Sequence, residues 1–206
     1  MPARAIPATP KNAARGRRDR LDRLLRSSHL FASTVREILE VRLLDEVAPA
    51  PLSPSQFHLL KLIVRSGEHP VGQMAEFLGV SAAAASKAID KLEGLGLLAR
   101  KVSAGDRRVC LIAASQAGKE LVSRYEQRTS EHLAPVLARF QPAEIDELSR
   151  LLERFAVHLL KLEEPGSGMC LRCAAYVDDH CPVAHAYDNC PYQKMRAGSQ
   201  AASGAA

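Results

Sequence analysis

A glycine followed two residues later by a serine, between two short helical patterns, sets the layout of the chain. Gly79 stands where a first helix, Val71 to Leu78, has to stop, because glycine takes the left-handed conformation without a Cβ penalty. Ser81 stands at the N-cap of a second helix, about Ala82 to Leu95, where its hydroxyl can accept a backbone N–H. Ile89, Leu92 and Leu95 form an apolar back on that helix, and Gly96 ends it. Its front carries Ala82, Ala83, Ala84, Ser86, Lys87 and Asp90. A helix with an apolar back and a small, polar, basic front fits the major groove of DNA, which is about 12 Å wide.

Two strand-like runs follow, Leu97 to Val102 and Arg107 to Ala113, around the turn Ser103-Ala104-Gly105-Asp106. Arg100, Lys101, Arg107 and Arg108 make this ribbon basic. A basic hairpin placed directly after a helix-turn-helix is a wing, able to lay an arginine into the minor groove. The predicted DNA-contact set is therefore Ser81, Ala82, Ala83, Ala84, Ser86, Lys87, Lys91, Arg100, Lys101, Asp106, Arg107 and Arg108.

These residues resemble the MarR-type winged helix-turn-helix regulators. The resemblance is carried by Gly79-Val80-Ser81, Asp90-Lys91-Leu92-Glu93, Gly96-Leu97, Arg100, Asp106-Arg107-Arg108 and the exit Ala114-Ser115-Gln116-Ala117-Gly118. It extends from about Leu21 to Leu162. It implies that Arg108 reaches the minor groove while Asp106 holds it. It also implies that the first and last two helices form a dimer interface, and that an effector pocket lies between them and the winged domain. The chain has Ala84 and Lys87 where relatives often carry Thr and Arg, so a different or weaker base-reading code is implied. The expected fold class is mainly α with a small β-wing: a winged helix-turn-helix plus dimerisation helices.

The flanking segments read as follows. Residues 1–18, rich in Ala, Pro and Arg, read as a disordered basic tail. Within the first twenty residues, Arg4, Lys11, Arg15, Arg17, Arg18 and Arg20 oppose Asp19 alone, which accounts for the net charge of +5. A basic arm of this kind can follow a DNA groove. Asp19 to Val47 has helical apolar spacing, and Ala48-Pro49-Ala50-Pro51 breaks it. Ser53-Pro54-Ser55-Gln56 opens a helix through Phe57, Leu60, Ile63 and Val64 that ends at Ser66-Gly67. Ser115 caps a long helix to about Phe140, and Gln141-Pro142 starts another. Ile145, Leu148, Leu151, Leu152, Phe155, Leu159 and Leu162 give that last helix an apolar stripe longer than a winged domain needs internally. These spans form one unit, residues 19–163, with its DNA-binding core at 53–115.

Residues 164–195 are a cysteine-rich tail, and residues 196–206 read as disordered. Cys170, Cys173, Cys181 and Cys190 have the pattern C-x2-C-x7-C-x8-C. Four thiolates this close can hold one metal ion or cluster, whose binding would supply folding energy to a segment with few bulky side chains. Only one C-x2-C knuckle is present, whereas structural zinc sites usually show two. Cys181-Pro182 and Cys190-Pro191 match the Cys-Pro step of ferredoxin-type ligation, so an iron–sulfur cluster is favoured over zinc. His180 and His185 are alternative ligands in either case, and a free-thiol switch or a tail without a site stays open. Cys110, on a wing strand, reads as a small buried apolar residue.

No apolar run is long enough to span a membrane and no signal-peptide core is seen, so the expected compartment is the cytoplasm. No G-x-S-x-G, phosphate loop or H-E-x-x-H occurs, and the histidines are scattered, so no enzyme is expected. The reading is a homodimeric DNA-binding regulator of a palindromic operator, modulated by the four-cysteine site. One alternative is a repressor that responds to a small, for example phenolic, effector and carries a structural zinc. A third reading is an iron–sulfur electron-transfer or accessory protein.

Overall fold

The computed structural model describes residues 10–162 apart from residue 79 and residues 104–108. The chain divides into two compact units, Met1–Leu43 and Leu44–Ala206. The first is one helical rod: α1 (Pro10–Thr34) followed by a π-helical stretch, Val35–Arg42. The wider register is visible in its hydrogen bonds, since the Leu43 N–H donates to the Ile38 carbonyl five residues back. It also brings Arg42 Nε within 3.1 Å of Glu37 Oε1, again five residues away. Leu21, Leu24 and Leu25 lie exposed on this rod at helical spacing. Residues 10–18, expected in a disordered tail, are helical instead, and residues 1–9 lie outside the described residues. The helix begins at Pro10, a residue suited to a first helical turn, and runs through Arg17, Arg18 and Arg20. Arg and Ala are strong helix formers, and a compositional reading overlooks that.

The second unit begins within α2 (Leu43–Val47), and α3 (Pro54–Ser66) is its central helix. Every residue of α3 from Phe57 to Ile63 is buried. A full capping box opens it: the Gln56 N–H donates to Ser53 Oγ (3.3 Å), and the Ser53 N–H donates to Gln56 Oε1 (3.0 Å). Against α3 pack α5 (Ala82–Gly94), which buries Ala85, Ile89 and Leu92, and α6 (Gln116–Leu137), which buries Leu121, Val122 and Tyr125, while α4 (Val71–Leu78), with Met74 buried, packs on α5 and β1. The Phe57 and Tyr125 rings sit 4.5 Å apart and tilted. Glu126 on α6 pairs with both Arg65 and the buried Lys61 of α3.

The sheet has three antiparallel strands in the order β1 (His69–Pro70), β3 (Cys110–Ala114), β2 (Leu98–Val102). The expected ribbon had two. The third strand is only two residues long and ends in Pro, which is tolerated at a sheet edge and carries no strand signature in sequence. His69 pairs with Ile112, and Arg100 pairs with the same residue from the other side.

Two glycines shape the exit from the wing. Gly96 has φ +69 and lets the chain leave α5 in the left-handed region. Gly118, in the first turn of α6, permits close approach: a Cβ there would lie 2.2 Å from the Leu97 carbonyl oxygen. Ser115 completes this junction. Its Oγ accepts the Gly118 N–H (3.0 Å) and donates to the Gly96 carbonyl (2.5 Å). The exit motif therefore seats α6 on the end of α5.

The last helix, α7 (Pro142–Leu160), begins where the sequence places it, with the Gln141 N–H donating to Glu144 Oε2 at 2.8 Å. It has no buried residue. Leu148, Leu151, Leu152 and Leu159 stand exposed along it.

Cys110 corrects another expectation. It is exposed rather than buried, paired with Val102, which is also exposed. Strand alternation predicts which side a residue takes, but the far end of a wing has no core on either side.

Candidate nucleic-acid interface

The turn between α4 and α5 is closed by the Val80 N–H donating to the Ala75 carbonyl (3.2 Å). Ser81 then caps α5, its Oγ accepting the Ala84 N–H at 3.2 Å. Ala85, Ile89 and Leu92 point inward. At 100° per residue, Ala83, Lys87 and Asp90 project away from that back. Ser81, Ala82, Ala83, Ala84, Lys87 and Lys91 are exposed, and Ser86 is half-buried. The N-terminal half of α5 is thus a smooth, open face of alanines with one lysine standing on it. N-terminal residues of a recognition helix are those that reach base edges.

The cations nearby differ in their commitments. Arg100, on β2, spans two carboxylates of α5: its NH2 group lies 2.5 Å from Asp90 Oδ1 and its NH1 group 3.2 Å from Glu93 Oε2. The hydrogen bond to Asp90, with Glu93 beside it, raises the Arg100 pKa above its ordinary value. Lys101 Nζ is 2.6 Å from Glu68 Oε1. Lys91 Nζ donates to the Pro51 carbonyl at 2.9 Å. Sequence reasoning placed Arg100, Lys101 and Lys91 in the DNA-contact set but missed these partners. No local pattern pairs Lys101 with Glu68 or Lys91 with the Pro51 carbonyl. The Arg100 pairing had a signal only in the placement of β2 directly after α5. Asp106, Arg107 and Arg108 lie outside the described residues. The strands that lead to them are in register, and the Ser103 N–H donates to the Val109 carbonyl at 3.0 Å across the base of the loop.

Beneath the wing lies a residue the sequence did not single out. His69 is fully buried, with Nε2 2.7 Å from Ser66 Oγ. Ser66 Oγ donates its proton to the Leu62 carbonyl (2.8 Å), so His69 Nε2 must carry the hydrogen. Nδ1 has no hydrogen-bond partner among the described residues. Burial therefore lowers the His69 pKa.

Cys170, Cys173, Cys181 and Cys190 lie outside the described residues. Among the described residues no three metal-ligating side chains come together. No described helix is long and apolar enough to cross a membrane.

Helix-turn-helix, a capped second helix with an open outer face, and a three-stranded sheet define a winged helix-turn-helix fold. Known proteins make this more specific. Residues 52–110 match the MarR family. The chain is 24% identical over 107 residues to the HTH-type transcriptional regulator MhqR of Bacillus subtilis strain 168, covering 52% of this chain and 74% of MhqR. The fold is similar to that of RV1404 from Mycobacterium tuberculosis (TM-score 0.56, 24% identity, 75% of this chain and 97% of that one). It is also similar to the YusO protein from Bacillus subtilis (TM-score 0.52, 21% identity, 66% and 96%). The chain therefore resembles the MarR-type winged-helix transcriptional regulators, in fold and over residues 52–110 in sequence.

Proposed function

We propose that the protein acts as a homodimer that binds a palindromic operator, and that a metal site in its C-terminal cysteine tail adjusts the binding. The carrying observation is the outer face of α5, capped by Ser81, open from Ala82 to Ala84 and at Lys87, and flanked by the wing strands. The contact set is the one named from sequence, less Arg100, whose guanidinium is engaged by Asp90 and Glu93; Asp106, Arg107 and Arg108 belong to the set but lie outside the described residues. It performs no catalysis.

Dimerisation is supported by what the described residues leave uncovered. Leu148, Leu151, Leu152 and Leu159 of α7 are 36% to 48% exposed in one stripe. A lone amphipathic helix gains little from propensity, and its stability comes from covering such a face. A second copy of the chain would cover it and would place two recognition helices about one turn of DNA apart.

For the tail, the donor set itself is the support. Four cysteines within one short segment, directly after α7, are soft donors suited to an iron–sulfur cluster or zinc. Cys170, Cys173, Cys181 and Cys190 would hold it, and when bound it would supply folding energy to that segment. A change there would be felt at the dimer helix and so at the DNA.

The test is a DNA shift titrated with salt, using protein purified without oxygen and again after exposure to air. Salt-dependent binding supports a DNA-binding regulator and removes the electron-transfer or accessory reading. Loss of binding in air, absent in the variant with all four cysteines changed to Ser, supports redox or metal sensing. One zinc per chain and no response to air would instead favour a small-molecule effector with a structural metal. Equal DNA affinity of metal-loaded and metal-free protein would sink the sensing role.

A further inference from the structure

Charge pairing around α5 separates two cations that sequence treats alike. Lys87 stands on the face opposite the helix's buried back and has no hydrogen bond or ion pair among the described residues. Arg100 lies beside the same helix but gives both ends of its guanidinium to Asp90 and Glu93. Lys91 and Lys101 are likewise engaged, by the Pro51 carbonyl and Glu68.

Asp90 projects from the outer face of α5. Duplex DNA carries a negative charge about every 1.7 Å along its axis. A carboxylate brought to that surface without a counter-charge is repelled. If Arg100 turned away to touch DNA, it would uncover Asp90 and Glu93 together, and the repulsion of two carboxylates would oppose one new phosphate contact. The guanidinium is worth more where it stands. Lys87 has no such competing claim, and lysine can meet both the O6 and N7 acceptors of guanine in the major groove.

We propose that Arg100 is a positioning residue that cancels the charge of Asp90 and Glu93 at the DNA face and reads no base, and that Lys87 is the base-reading cation of α5, selecting a guanine in each half-site. This rests on the DNA-binding reading above.

The experiment is selection of preferred duplexes from a randomised pool at fixed salt, followed by titration of full-length variants on selected and random duplexes. Lys87→Ala should bind the selected duplex roughly 5- to 150-fold more weakly and lose its preference at one G·C position. Arg100→Ala should weaken selected and random duplexes by the same factor and keep the wild-type base preference. Adding Asp90→Asn and Glu93→Gln to Arg100→Ala should restore binding, because it removes the charges Arg100 cancels. Should Arg100→Ala fail to fold, Arg100→Gln takes its place.

A neutralised triple variant as weak as Arg100→Ala, or an altered base preference in Arg100→Ala, would show that Arg100 itself contacts DNA. Unchanged preference at every position in Lys87→Ala would overturn the assignment of Lys87. Failure of the wild-type protein to bind any duplex at low salt would overturn the DNA-binding reading, and this inference with it.

Discussion

Helices α5 and α7 are built on the same amphipathic plan and meet opposite fates. In α5, Ala85, Ile89 and Leu92 are all buried, with Ile89 and Leu92 wholly so. In α7, a longer stripe of leucines buries nothing. The difference lies in what stands opposite. The back of α5 meets α3, α4 and β2, whereas α7 finds no such partner within the described chain. Amphipathicity therefore states that a helix needs a partner, and only the packing shows whether the partner is in the same chain.

The sharpest way to break this contrast is a pair of truncations. Ile89→Ala should cost roughly 2–5 kcal/mol in a denaturant titration, through lost burial and the cavity left behind. Leu152→Ala should cost far less when measured at protein concentrations low enough to keep chains apart. Equal costs would mean that α7 packs within its own chain, and the contrast would fall.

Replacing Leu148 and Leu152 together with Glu sharpens the same point from the other side. If α7 forms the proposed dimer, light scattering should report single chains while the melting of the winged domain changes by less than about 1 kcal/mol. A variant that stays dimeric would place the interface elsewhere.

On α5, Ser81→Ala removes the N-cap and should destabilise by about 1 kcal/mol. DNA binding should weaken as well, because the cap fixes the first turn of the proposed reading face. An undiminished melting temperature would show that the α4–α5 turn is held by its backbone alone.

The smallest effect concerns pH. His69 is held neutral by burial, with its pKa below 6.5, so the unfolded chain binds a proton more readily than the folded one. Stability from this group is complete above pH 6.5 and declines as the pH falls from 6.5 through the folded value. His69→Gln should flatten that part of a stability-against-pH curve, and an unaltered curve would remove His69 as its source.

Local rules carried the sequence reading far in the winged domain. Ser53 with Gln56, Ser81, and Gln141-Pro142 each started a helix where expected, because capping is satisfied by residues three positions apart. Val71–Leu78 was legible to the residue at both ends. The misses share a different character. The Pro10 start of α1 was hidden by a composition that suggested disorder. The π-helical stretch has no sequence signature. Strand β1 exists only because His69 and Pro70 are brought alongside Leu111 and Ile112 from another part of the chain. Cys110 was assigned to a core that does not extend to the end of the wing.

The candidate site divides in the same manner. Its face, from Ser81 to Lys87, could be read from spacing, because the side chains of one helix share a fixed geometry. Which cations stay available on it could not, because Arg100 meets Asp90 across ten residues, Lys101 meets Glu68 across 33 and Lys91 meets Pro51 across 40.

By itself, then, the sequence determined the helices, their caps, the winged order of elements and the chemistry offered by a cluster of four cysteines, all of which depend on residues close in the chain. Only the tertiary structure decided that the middle of α3 is enclosed on every side, that α7 is not covered by other described residues, and that Lys87 alone among the described α5 and β2 cations has no partner among the described residues. Those outcomes depend on distances between segments far apart in sequence, which burial and charge pairing settle together once the chain has folded.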